Sequence, residues 1–156
     1  VKLAVAMGAE VTMITTSPEK GQDAKRLGAT DILVSKDEAQ MSAAAGRFDF
    51  LLNTIPVAHN MDPYIPLLAL GKTMAVVGVA VTEVNTMALS FGRKIISGSL
   101  IGGIQETQEM LDFCAKHNIV SDVEMIDMQE INHAYERVMK SDVKYRFVID
   151  MQSLKG

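Results

Sequence analysis

Residues 1–20 read VKLAVAMGAEVTMITTSPEK, and the rest of the fold follows from how this stretch is built. Val1 to Ala9 is an apolar helix with no capping residue and no first turn ahead of it. Val11–Ile14 follow at once as a strand, which leaves through Thr15-Thr16-Ser17-Pro18-Glu19-Lys20. A helix that feeds a buried strand this way is the back half of a β–α–β unit. Its front half, a buried strand and a glycine-rich turn at the helix N-terminus, is expected upstream of Val1.

Working outward, strands and helices alternate at short spacing, the signature of an α/β layering around a parallel sheet. A helix is expected over Glu19–Leu27 with Gly28 to stop it, and a strand over Asp31–Val34. A weak helix over Asp37–Ala45 closes at Gly46. Phe48–Asn53 (FDFLLN) is a continuous apolar run, read as a central strand covered on both faces. Asp62-Pro63 has the look of an N-cap and first turn for a helix over Tyr64–Leu70. Thr73–Val77 and Lys94–Ser99 are the next two strands.

The rhythm changes after Gly102-Gly103, so a boundary is placed between residues 1–100 and 101–156. Beyond it, Gln105–His117 is a longer amphipathic helix with Met110, Leu111, Phe113 and Cys114 inward, and Val123–Ile126 is a short strand. Asp127 and Glu130 stand at capping-box spacing. Ile131, Ala134, Tyr135, Val138 and Met139 then share one helical face, and Tyr145–Asp150 closes as a strand.

Composition narrows the function. In 156 residues, 48% hydrophobic, there is enough apolar material for one core. Fifteen basic against 19 acidic residues give a net charge of −4, which argues against sequence-independent nucleic-acid binding. No apolar run approaches the roughly 18–20 residues that cross a bilayer, so no membrane partner is expected and the cytoplasm is the default compartment. The single Cys114 excludes an intrachain disulfide and reads as a small buried side chain. His59, His117 and His133 stand apart from one another and show no metal-ligand spacing. His117 reads as a helix-end charge and His133 as exposed; none is assigned to catalysis.

Candidate chemistry lies where open α/β sheets bind ligands, just past the C-terminal ends of their strands. After the first strand, Thr15, Thr16 and Ser17 offer hydroxyls and Lys20 an ammonium. An NAD-selective site places a carboxylate here, whereas this set suits the 2′-phosphate of NADP. Glu19 weakens the positive field, and an ordinary polar turn with a solvated lysine fits the six residues as well; the flanking β–α–β context favours the phosphate. Thr54-Ile55-Pro56, Gly78-Val79 and Ser99-Leu100-Ile101-Gly102-Gly103 follow three successive strands. Their small residues would let backbone amides approach a nicotinamide ring or ribose. Arg146 reads either as a solvated charge or as a phosphate clamp.

Five segments carry a resemblance that goes further: GAEVTMITTSPEK, RLGATDIL, FDFLLNTIPVAHNMDPYIPLL, GSLIGGIQETQEMLDFCAKHNI and INHAYERVMKSDVKYRFVIDM. Together they resemble the zinc-dependent medium-chain alcohol dehydrogenases, in the NADP-dependent branch of cinnamyl alcohol dehydrogenases and bacterial aldehyde reductases. The resemblance implies a Rossmann-like, doubly wound parallel sheet followed by a C-terminal piece of the catalytic domain. It implies hydride transfer between NADP(H) and an alcohol or aldehyde, with a catalytic zinc as Lewis acid. Thr15, Thr16 and Lys20 then match the loop around the 2′-phosphate. Thr54 and Ile55 match the cofactor-contacting turn, and Gly78 and Val79 the loop under the nicotinamide ribose. Ser99, Leu100 and Ile101 border the carboxamide, while Arg146 reaches the pyrophosphate. A homodimer through Lys94–Ile101 is also implied.

The zinc ligands of the family, its first strand and its glycine turn have no match in these residues. The chain is therefore expected to be an inactive fragment of a roughly twice longer enzyme. Losing the central strand would leave two unpaired edges; buried orphan amides cost about 1–3 kcal/mol each, so a swapped strand or shifted register is expected to fill the slot. Two alternatives stand beside this reading: a zinc-free reductase of the quinone-oxidoreductase kind, and a non-catalytic nucleotide-binding fragment.

Overall fold

Ser17, in extended backbone, hands the chain to Pro18 at the first position of a helix, and strand–helix alternation continues from there. The structure, a computed structural model, describes residues 1–155, with the side chains of Lys20 and Lys155 outside that description. The chain divides into two units, Val1–Met110 and Leu111–Gly156. The division falls inside a helix.

The first unit runs α1 (Lys2–Ala6), β1 (Thr12–Thr15), α2 (Pro18–Arg26), β2 (Asp31–Val34) and α3 (Glu38–Ala43). It continues through β3 (Phe48–Asn53), a single 3-10 turn (Ile65–Leu67), β4 (Leu68–Val76), α4 (Thr86–Gly92) and β5 (Ile95–Gly98). Helix α5 (Ile104–Lys116) crosses the division. All pairings are parallel: β1 with β2, and β3 with β4 and β4 with β5. These make a two-stranded sheet and a separate three-stranded one in the order β3-β4-β5.

Among the described residues no strand pairs with the outer edge of β1 or of β3, and neither a swapped strand nor a shifted register fills the interval. β1 is half-buried throughout, while Phe50 and Leu52 on β3 are 55% and 58% exposed. Phe48–Asn53 is thus an edge strand with only Leu51 buried, not the doubly covered strand its apolar run suggested.

What joins the two sheets is side-chain packing. Leu33 of β2, Met41 and Ala44 at α3, Leu51, Met61, Ile65, Leu67, Leu68 and Met74 form one buried cluster, with Ile14 of β1 against it. Arg47 adds a polar tie: its guanidinium meets the Asp31 carboxylate at 2.8 Å and the Thr12 hydroxyl at 3.4 Å, and lies over the Phe48 ring. That hydrogen bond from Arg47 holds the Asp31 carboxyl below its usual range.

Two elements differ from the sequence reading. Tyr64–Leu70 is not a helix, because the chain turns once and enters β4 at Leu68. Gly71, at φ +71°, kinks that strand, and the register against β3 shifts between Phe48 and Phe50. Asp62 does not cap a helix; its carboxylate accepts the Asn85 N–H at 2.8 Å, and Asn85 in turn caps α4 through Met87 N–H at 3.0 Å. Helix α4 itself was not anticipated.

The second unit pairs β6 (Glu124–Asp127) with β7 (Phe147–Asp150), parallel, with α6 (Ile131–Met139) between them in sequence. Arg137 of α6 grips both Glu124 carboxylate oxygens and Asp142, and stacks over Phe147. Its hydrogen bonds hold the Glu124 carboxyl below the usual range and raise its own proton affinity further. Asp127 makes no side-chain cap, so the capping box is not formed. The inward face expected on α6 buries only Ala134, while Tyr135 and Met139 stay exposed; α5 buries no residue, and Cys114 is half-buried. His117 stacks on Phe113 at 4.3 Å between ring centres, and His133 is exposed.

Candidate functional site

Parallel strands in one sheet release their chains at the same end. β3, β4 and β5 therefore deliver Thr54-Ile55, Val77-Gly78-Val79 and Ser99-Leu100 side by side. The loops are stitched together by main chain. The Asn53 carbonyl accepts Val77 N–H at 2.9 Å and Gly78 N–H at 3.3 Å, and the Val76 carbonyl accepts Ser99 N–H at 3.1 Å. Between the second and third loops lies an open crevice of about 330 Å³, lined by Val76, Gly78, Val79, Gly98, Ser99 and Leu100 among others.

Two glycines shape it differently. A Cβ on Gly78 would press on the main chain of Ile55, so glycine is needed there for the loops to pack. A Cβ on Gly98 would meet nothing within 4 Å, so its bare backbone faces open space. The sequence signal for Gly98 is a glycine closing the apolar strand Ile95–Gly98.

The turn after β3 is held by a short relay. Asn53 Oδ1 accepts the Ile55 N–H at 3.1 Å, so its amide nitrogen faces His59 Nε2, 2.9 Å away. The amide donates there, and the imidazole proton therefore sits on Nδ1 and is donated to the Val57 carbonyl at 2.8 Å. The ring stands edge-on to Tyr64, and the His59 carbonyl accepts the Thr82 hydroxyl at 2.5 Å.

Of the residues expected at a site, Gly78, Val79, Ser99 and Leu100 share the crevice, with Ile55 packed against Gly78 and Thr54 exposed beside it. Ile101 is 85% exposed and does not line the crevice. Thr15, Thr16 and Ser17 form the β1–α2 turn of the other sheet. The Thr15 hydroxyl accepts Ser17 N–H at 3.2 Å, and the Ser17 hydroxyl reaches Glu19 at 3.5 Å. Lys20 is on α2, and its side chain lies outside the described residues. Arg146 belongs to the second unit, where its carbonyl accepts Glu124 N–H.

Among the described residues no group of three or more His, Cys, Asp or Glu side chains is arranged to hold a metal ion. The zinc implied by the resemblance does not fit these side chains. No described helix is long and apolar enough to cross a membrane.

This arrangement, loops converging past parallel strands, matches known proteins. The family model described as zinc-binding dehydrogenase matches residues 1–116. Aldehyde reductase YahK of Escherichia coli (strain K12) is 50% identical over 157 residues, covering 99% of this chain and 45% of its own length. A cinnamyl alcohol dehydrogenase of Sorghum bicolor, SbCAD4, superposes with a TM-score of 0.90 at 41% identity, over 96% of this chain and 43% of its own. CAD from Helicobacter pylori, solved with NADP(H), gives 0.81 at 36% identity, over 97% and 44%. The chain belongs to the zinc-binding dehydrogenase family. It is an α/β protein matching the Rossmann-like nucleotide-binding half of such structures, and it spans less than half the length of the relatives it matches. The zinc-free alternative finds no support in this family.

Proposed function

We propose that these residues are the cofactor-binding part of a longer NADPH-dependent alcohol dehydrogenase or aldehyde reductase. The observation that carries this reading is the set of three loops at one end of β3-β4-β5, opening on a crevice with bare backbone at Gly98. NADP(H), when bound, supplies the hydride exchanged with an alcohol or aldehyde carbon. The part of this chain is to bind and orient it: Thr54 and Ile55 at the cofactor-contacting turn, Gly78 and Val79 under the nicotinamide ribose, and Ser99, Leu100 and Ile101 at the carboxamide. Thr15, Thr16, Ser17 and Lys20 take the 2′-phosphate, and Arg146 the pyrophosphate. Residues 1–100 form the dinucleotide domain and 101–156 return to the catalytic domain. The family and the NADP(H)-bound relative support this reading. Zinc ligands are drawn from elsewhere in the enzyme, so the 156 residues alone turn nothing over. β5, the outer strand of its sheet, is the edge through which two copies pair.

Parallel titrations of the full-length protein with NADPH and NADH test the assignment. NADPH is expected to bind more tightly, by charge-assisted hydrogen bonds to the 2′-phosphate. Tighter NADH binding rejects the roles given to Thr15, Thr16, Ser17 and Lys20. Turnover of an aldehyde by the 156-residue chain rejects its inactivity.

A further inference from the structure

We propose that His59 is a positioning residue for the cofactor-facing turn, acting through Asn53; the proposal rests on the dinucleotide reading above. Asn53 is the node where two of the three loops meet. Its carbonyl takes the N–H groups of Val77 and Gly78, and its side-chain oxygen takes that of Ile55. An asparagine amide can flip, and a flipped Asn53 would present NH₂ to the Ile55 N–H, donor against donor.

His59 removes that freedom. With Nδ1–H committed to the Val57 carbonyl at 2.8 Å, Nε2 has only a lone pair to offer, and it accepts from Asn53 Nδ2 at 2.9 Å. One tautomer of His59 thus selects one orientation of Asn53, which selects one position for the Ile55 peptide. Gly78 packs on the main chain of the same residue, most closely on its carbonyl group. Both ring nitrogens are hydrogen-bonded within the chain. Thr82 on the next loop holds the carbonyl of the same residue, fixing where the ring starts.

The test measures NADPH affinity and melting temperature on the full-length protein for wild type, His59→Leu and His59→Gln. Leu offers Asn53 no acceptor, and NADPH affinity is expected to fall about tenfold, the scale of one lost orienting hydrogen bond. Gln carries an amide oxygen that accepts from Asn53, and it is expected to restore binding to within about threefold of wild type. Ring nitrogen NMR shifts of the wild-type protein read the tautomer directly, with the proton expected on Nδ1, and this measurement stands even if His59→Leu does not fold. Wild-type affinity in His59→Leu overturns the proposal. So does equal loss in both variants alongside a lowered melting temperature, which marks a merely structural role, and so does a proton on Nε2. A wild-type protein that binds no NADPH overturns the dinucleotide reading itself, and the relay with it.

Discussion

A Cβ added to Gly78 would stand 2.0 Å from the main-chain oxygen of Ile55 and 2.6 Å from its carbonyl carbon. Both are backbone atoms, and neither can swing aside as a side chain would. Gly78→Ala is therefore expected to destabilise the protein by about 1–3 kcal/mol, the usual cost of forcing extra volume into a packed site. Urea denaturation checks it, and an unchanged midpoint would mean that the two loops do not meet as described.

Gly98→Ala asks the opposite question at the same crevice. The new methyl meets nothing within 4 Å, so stability should stay within about 0.5 kcal/mol of wild type or rise slightly. If the crevice takes the dinucleotide as proposed, NADPH affinity of the full-length protein should fall, because the methyl would occupy part of it. Unchanged binding in a titration would show that the crevice is not used.

Arg47→Gln tests the tie between the sheets. Arg47 depresses the Asp31 pKa, so folded Asp31 holds its proton more weakly than unfolded Asp31 does. That contribution is present above the unfolded value of about 3.9 and is lost as pH falls through the folded one. Both side chains are more than two-fifths exposed, so the loss at pH 7 should be no more than about 1 kcal/mol. Carboxyl NMR should show Asp31 titrating higher in the variant, and urea midpoints of the two proteins should converge in acid.

Met74 is 1% exposed near the C-terminal end of β4 and Val81 is 92% exposed on its loop. Truncating Met74 to Ala should cost about 2–5 kcal/mol, since the surrounding cluster cannot collapse fully onto the cavity. Val81→Ala should lie within about 0.5 kcal/mol of wild type. Calorimetric melts of the two variants separate these expectations.

Where local chemistry decides conformation, the sequence was readable. Asp31–Val34 and Phe48–Asn53 are strands with the bounds their apolar runs suggested, and the helix expected over Glu19–Leu27 runs over Pro18–Arg26. Gly71 misled, because a glycine after an apolar run ends a helix as readily as it kinks a strand. Helix α4 hid in Thr86–Gly92, seven residues in which only Met, Ala, Leu and Phe are apolar and Asn85 is the sole start signal. Gly78, Val79, Ser99 and Leu100 were legible as a group because parallel strands must end together. The link between Asn53 and His59 was not, since no local pattern says that the chain curls back over six residues to join them.

Within these 156 residues the β1–β2 pair and the β3–β4–β5 sheet meet through side chains, and that has a consequence for how motion spreads in this piece taken by itself. Hydrogen-bonded strands breathe as one body, whereas greasy side chains such as Leu33 and Leu51 resist separation without enforcing concerted fraying. In the 156-residue chain on its own, deuterium should accordingly enter the two-stranded and the three-stranded arrays as two distinct kinetic families.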